Sequence, residues 1–330
     1  MDETTPYRTA FRSWDTRAWV RAKPHQSTAF EDGKAFFTPE VVPLLALPRA
    51  AALDQETAND LCARHLQWHL AMTVALELGP VNDAVAVIRD SPLAGAFPRE
   101  LRHDALRLYT DEAGHAEMCA TLSEAVERRS GVAAPETPPP FVRRTREAVA
   151  LAPEEARDAV RLLAAFVSET LISATLTRVP YDDRVQLGVR QLVADHADDE
   201  RRHAVLFRDV FARTWPVLDP DVRRAAAVLL PDLVHAFLAP DPDELVATAT
   251  VHADAFGDPA AAAAEATALA ISHGSYLGAA EPTLRVLAEH GAFDDPEVAL
   301  AFVRSGLCPD LGVSAARPGQ AAALAATTAG

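Results

Sequence analysis

Four segments of this chain, near residues 56–78, 98–129, 153–177 and 183–213, read as long helices, and each sets a glutamate on the stripe that packing would fill with leucine. The first stripe runs Leu66, Leu70, Val74, Glu77, Val81, and the second Leu101, Ala105, Leu108, Glu112, His115, Cys119, Leu122, Val126. The third runs Leu162, Phe166, Glu169, Ser173, Leu176, and the fourth Val189, Leu192, His196, Glu200, His203, Phe207, Val210. A lone buried carboxylate is expensive, and neither Lys nor Arg lies on these stripes to compensate it. Two divalent cations would balance four carboxylates, and imidazoles add donor atoms without adding charge. The pattern therefore predicts a two-metal site inside a helical bundle.

A Glu from each of two helices plus Glu-x-x-His from each of two others is the ligand set of ferritin-like di-iron carboxylate bundles, because residues at i and i+3 project together. Glu77 and Glu169 are the single carboxylates here, and Glu112/His115 and Glu200/His203 the paired motifs. Glu-x-x-His alone means little: with 11 His in 330 residues, roughly one Glu in thirty has a His at that spacing. Glu100 and His103 form such a decoy, on a face that continues through Asp104, Arg107 and Asp111 and reads as solvated. The retained motifs repeat in the order Glu, ExxH, Glu, ExxH across a proline-rich segment at 130–140, with separations of 35 residues (Glu77 to Glu112) and 31 (Glu169 to Glu200). Two similar helical hairpins follow from this. His65 and His69 read as packing or surface residues, Cys119 as core, and Tyr109 as a packing residue or a neighbour of the site.

His196, one turn before Glu200, extends the last motif to His-x-x-x-Glu-x-x-His and brings the candidate ligands to seven: Glu77, Glu112, His115, Glu169, His196, Glu200 and His203. Over roughly residues 60–210 this order resembles the p-aminobenzoate N-oxygenase (AurF-type) family of ferritin-like di-iron proteins. The resemblance implies that the four glutamates bridge or terminally bind two iron ions (Fe2+/Fe3+), with the three histidines as nitrogen donors. It also implies O2 as co-substrate and oxidation of an arylamine through a hydroxylamine towards a nitro group. The mixed oxygen and nitrogen donor set favours iron over zinc. No flavin or nicotinamide fingerprint is present, so an external reductase or ferredoxin would supply electrons. Arg285 and Arg304 are weak candidates for holding a substrate carboxylate. The same ligands would also serve an oxygenase acting on carbon, by hydroxylation, desaturation or C–C cleavage. An iron-binding ferroxidase needs little beyond four helices, whereas this chain continues for about 110 residues past the last motif. A radical-generating subunit would need a tyrosine by the metals, and only Tyr109 is near a motif.

Only 14 glycines and 6% aromatics, in a chain dominated by Ala and Leu, favour an all-α fold. The expected architecture is a ferritin-like four-helix bundle with a di-iron core plus additional C-terminal helices. An irregular arm (1–50) precedes a single helical domain (51–310), comprising the metal-binding bundle at about 56–213 and accessory helices at about 221–305; a flexible tail (311–330) follows. The accessory helices fall near 221–238, 242–256, 260–272, 281–290 and 295–305 and would close the substrate pocket. Pro153, followed by Glu154 and Glu155, reads as a first helical turn, and Gly79-Pro80 predicts a kink or stop just after Glu77. A net charge of −16 argues against nucleic acid and anionic membrane surfaces as partners. Cys62, Cys119 and Cys308, without a CxxC, exclude a disulfide framework and a thiolate zinc cage. With neither a signal peptide nor an apolar run of about 18 residues, the expected location is the cytoplasm. A small-molecule amine is the expected partner, and a homodimer is compatible with the sequence.

Overall fold

The computed structural model describes residues 6–23, 27–175, 178–272 and 275–307; Cys308 and the expected tail lie outside them. Helix α1 (Gln55–Leu76) starts where the Asp54 carboxylate accepts the Thr57 N–H at 2.7 Å. It does not stop at Gly79-Pro80. The chain widens into a π-helical turn, Glu77–Val81, and runs on as α2 (Asn82–Asp90). The proline ring would strike the carbonyl four residues back in a regular α-turn, and the wider turn makes room for it. Helix α3 (Arg99–Ser130) ends at Gly131, whose φ of 77° is the left-handed cap that glycine adopts most cheaply.

Helices α1 and α3 run antiparallel, with Gln67 opposite Ser123 and Glu77 opposite Glu112. Buried Gln67 donates to the carbonyls of Ser123 (3.1 Å) and Val132 (2.7 Å) and accepts from the Ser123 hydroxyl (2.6 Å). Helix α4 (Pro140–Leu151) then appears where no helix was expected. Phe141, Val142, Thr145 and Ala148 form its short inward stripe. Pro153 does not occupy a first α-turn: it precedes a 3-10 turn, Glu154–Ala156, that leads into α5 (Arg157–Thr175). Helix α6 (Leu187–Thr214) returns antiparallel to α5, with Phe166 stacked on Phe211 at 4.7 Å.

The predicted helix at 221–238 is two, α7 (Pro220–Ala227) and α8 (Leu230–Leu238). They are followed by α9 (Pro242–Val251), α10 (Pro259–Ser272), α11 (Ser275–Glu289) and α12 (Pro296–Arg304). Helices α4, α8 and α11 pack on α5 as well, so α5 is buried on nearly every face, as its run of apolar residues requires. Among the described residues there is no strand, only an isolated bridge between Ala35 and Val185. The continuous helix Gln55–Asp90 is long and apolar enough to cross a membrane by composition, yet 56% of its apolar window is buried inside the protein. The arm preceding α1 is irregular apart from short helical turns, and it buries Phe11, Trp19, Phe37 and Leu44 against the bundle.

Candidate metal centre

The π-helical turn, the midpoints of α3 and α5, and the middle of α6 bring all seven predicted residues together. Glu77, Glu112, His115, Glu169, His196, Glu200 and His203 are fully buried. Ligand atoms of Glu77, His115, His196 and Glu200 lie within 4.8 Å of one another, as do those of Glu112, His115, Glu200 and His203, and those of Glu77, Glu112 and Glu169. His115 and Glu200 belong to both histidine-containing groups. His203 Nδ1 stands 3.0 Å from Glu200 Oε1 and 3.1 Å from Glu112 Oε1. His196 Nε2 stands 3.3 Å from Glu77 Oε1 and 3.2 Å from Glu200 Oε1, without hydrogen-bonding angles to either.

The cluster is built for something more than its own side chains. Both carboxylate oxygens of Glu77, one each of Glu112, Glu169 and Glu200, and both ring nitrogens of His196 are buried without a hydrogen-bond partner. Such orphans are costly unless a cation collects them. Among the described residues, every ion-pair partner of these four glutamates is a histidine. Burial and the charge of Glu112 hold the Glu77 carboxyl well above the usual range, and burial with Glu200 does the same to Glu169. Burial opposes charge on His196 too, but Glu200 and Glu77 overcome it and push the imidazole up to about 10. Protons held on Glu77, Glu169 and His196 thus offset part of the cluster's negative charge. The donor set, four carboxylates and three imidazoles, all fully buried, fits two divalent first-row metal ions.

The sequence profile of the p-aminobenzoate N-oxygenase AurF family matches residues 4–291. The chain belongs to this family. Its fold is therefore the all-α, ferritin-like di-iron type, and the family's activity makes it an oxygenase. Comparison with curated protein sequences yields no match.

Two residues of this AurF-family site escaped the sequence reading. Asp111 and Asp199, each immediately before a motif glutamate, are fully buried and reach across the bundle to the opposite histidine. Asp111 Oδ2 lies 3.2 Å from His203 Nε2, and Asp199 Oδ2 lies 3.2 Å from His115 Nε2. A proton kept on each Nε2 by its aspartate leaves each Nδ1 lone pair facing the glutamates. Burial works against ionising Asp199, but its bond to His115 and the Arg202 guanidinium prevail and hold it at about 2. The available signal was the symmetry of two Asp-Glu-x-x-His motifs. The expectation that Asp104, Arg107 and Asp111 form a solvated stripe is wrong. Glu100 and His103 are exposed, but the arm covers the next turns: the Tyr7 hydroxyl donates to Asp104 at 2.7 Å and Trp14 Nε1 to Asp111 at 2.8 Å.

Arg285 and Arg304 do not face the cluster. Both side chains are turned to solvent, Arg285 paired with Glu281 on its own helix. Tyr109 is also at the surface, half exposed. Cys119 is core, as expected. His65 and His69 are half-buried against Phe37, at 5.3 and 5.7 Å between ring centres. His65 Nδ1 and His69 Nε2 are enclosed without a hydrogen-bond partner.

Proposed function

We propose that this protein is a di-iron, O2-dependent oxygenase that oxidises the nitrogen of a small-molecule amine, an arylamine first, to the hydroxylamine and onward towards the nitro level. The observation that carries this reading is the third histidine. His196 joins a six-residue ligand set of the generic bundle type, in a chain whose family is that of an N-oxygenase. The residues that would hold the irons are Glu77, Glu112, His115, Glu169, His196, Glu200 and His203. When bound, the iron pair supplies the chemistry by which an amine, O2, two electrons and two protons give a hydroxylamine and water. The electrons come from an external reductase or ferredoxin.

The protein's own part is to hold the donors and keep water out. Glu200 contributes to both histidine-containing groups and ties the two halves of the site together. Asp111 and Asp199 fix the ring orientation and tautomer of His203 and His115. Full burial of all seven donors keeps bulk water from competing for them.

Anaerobic loading with Fe(II), followed by metal analysis, should give about two irons per chain. The reduced, loaded protein exposed to O2 with p-aminobenzoate or related arylamines should yield hydroxylamine or nitro products. One iron per chain, or zinc bound in preference to iron, overturns the di-iron reading. Two irons with oxidation of carbon and never of nitrogen overturns the N-oxygenase reading. His196→Ala should retain most of its iron through the other six residues and lose amine oxidation. Wild-type turnover in that variant removes the support drawn from the third histidine.

A further inference from the structure

The N-terminal arm makes its most specific contacts on the two aspartates behind the metal-binding histidines. Trp14 Nε1 donates to Asp111 Oδ1 at 2.8 Å, and the backbone N–H of Trp19 donates to Asp199 Oδ2 at 3.1 Å. The opposite oxygen of Asp111 and the same oxygen of Asp199 face His203 and His115. On the same arm, the Phe11 ring lies nearly parallel to the His203 ring, 6.0 Å away with 18° between planes.

The bundle is shaped to admit this segment. Gly114 sits in the middle of α3, where glycine costs about 1 kcal/mol relative to alanine. A Cβ there would lie 2.2 Å from Val20 Cγ1 and 3.5 Å from the Trp19 ring. The glycine lies between Glu112 and His115, so the notch that receives the arm is cut into a metal-binding motif. Mere covering of the bundle would require neither a mid-helix glycine there nor donors aimed at both aspartates.

We propose that the arm segment Phe11–Val20 is a positioning element of the metal centre, in which Trp14 and the Trp19 amide hold Asp111 and Asp199 so that these fix the rings of His203 and His115. The inference rests on the two-metal reading given above. The arm then acts on metal affinity through two relays, one per histidine, without touching the metals.

Cobalt(II) titration of the full-length, metal-free protein, followed by visible absorption, tests this without any turnover. Wild type should bind two cobalt ions. Asp111→Asn, which alters the contact to His203, should weaken one of them about 10- to 100-fold. Trp14→Phe keeps a ring but removes the donor, and should weaken the same cobalt about tenfold and alter its absorption band. Gly114→Ala, which displaces Val20 and with it the Trp19 amide, should weaken at least one cobalt, since His115 belongs to both histidine-containing groups. Tyr7→Phe removes an arm contact to Asp104, which touches no histidine, and should leave both affinities unchanged. If wild type binds no cobalt, the two-metal reading fails and takes this proposal with it. If wild type binds two and Trp14→Phe binds both with unchanged affinity and spectrum, the two-metal reading stands and the arm's role is overturned. That role is equally overturned if Tyr7→Phe weakens cobalt as much as Trp14→Phe does, since arm packing alone would then be responsible. Should Gly114→Ala fail to fold, the Trp14→Phe and Tyr7→Phe comparison decides alone.

Discussion

At the scale of single residues, His65 and His69 carry a cost that shows in acid. Burial pushes the pKa of His65 down to about 4, and burial together with the nearby His65 and His196 pushes that of His69 down to about 3. The unfolded chain binds protons on both below about pH 6.5, whereas the folded chain resists until about pH 4 and 3. Stability attributable to this pair is therefore full above pH 6.5 and drains away on acidification through that window. Replacing both by Gln should remove about 2 kcal/mol of the stability lost between pH 7 and pH 5, a figure discounted because the rings are only half-buried. Urea unfolding at the two pH values checks it, and an unchanged loss would show that other groups set the acid sensitivity. The glutamates offer a sharper contrast. Glu112→Ala should abolish one metal while leaving the metal-free protein at least as stable, because a fully buried carboxylate is relieved. Glu100→Ala should change neither metal content nor melting temperature, because its side chain is in water. Equal effects at both would refute the assignment of Glu112 to the cluster. Glu100 could be dismissed from the sequence alone. Its neighbours could not, since no helical projection reveals that a segment almost a hundred residues upstream lies over Asp104 and Asp111.

Among the elements, the long helices were legible because their apolar stripes repeat over many turns, and Glu112, Glu169 and Glu200 lie well inside them, where a boundary error of a few residues does no harm. Helix α4 was not, since its four buried residues are too few to stand out after a proline run. Four accessory helices, α7, α9, α10 and α12, carry a start signal that repeats as Asp-Pro: Asp219, Asp241, Asp258 and Asp295 each accept backbone N–H groups, with Pro220, Pro242, Pro259 and Pro296 next in line, where a missing donor costs nothing. Gly79-Pro80 was ambiguous for a physical reason. Proline forbids the regular ladder, but a widened turn satisfies it as well as a break does, and only packing on both flanks chooses between them. That turn begins at Glu77 and sets where its carboxylate points. Pro80→Ala permits a regular α-turn, which would rotate Glu77 relative to α2. The expected result is a metal-free protein no less stable than wild type with weaker binding of the ion that Glu77 holds, read by calorimetric metal titration. Wild-type affinity would mean that packing of the flanks, and not the proline, maintains the turn.

Over the whole molecule, two antiparallel hairpins each supply a Glu and an ExxH, and the arm is fastened across both of them. Buried Gln186 accepts the Glu31 N–H at 2.8 Å and donates to the carbonyls of Glu31 and Lys34 at 3.0 Å each. A Cβ at Gly188 would fall 1.9 Å from the Ser27 carbonyl oxygen, so the second hairpin is notched for the arm as the first is at Gly114. None of this was legible in a segment whose prolines and aromatics lack periodicity, because its order comes from the surface it lies on. If the arm fixes the metal-binding histidines, coupling must run both ways: whatever factor the seated arm contributes to metal affinity, bound metal must return to the closed arm. A tenfold effect on affinity corresponds to about 1.4 kcal/mol, so bound cobalt should lower the population of the open arm, and exchange through it, about tenfold. The Trp19 amide is a direct reporter, since it donates to Asp199 and exchanges only when that bond opens. Hydrogen exchange measured by mass spectrometry on peptides covering residues 7–22, with and without cobalt, should show this protection in wild type and less of it in Trp14→Phe. Protection that rises in α3 and α6 while the arm exchanges at its metal-free rate would show the two to be energetically independent.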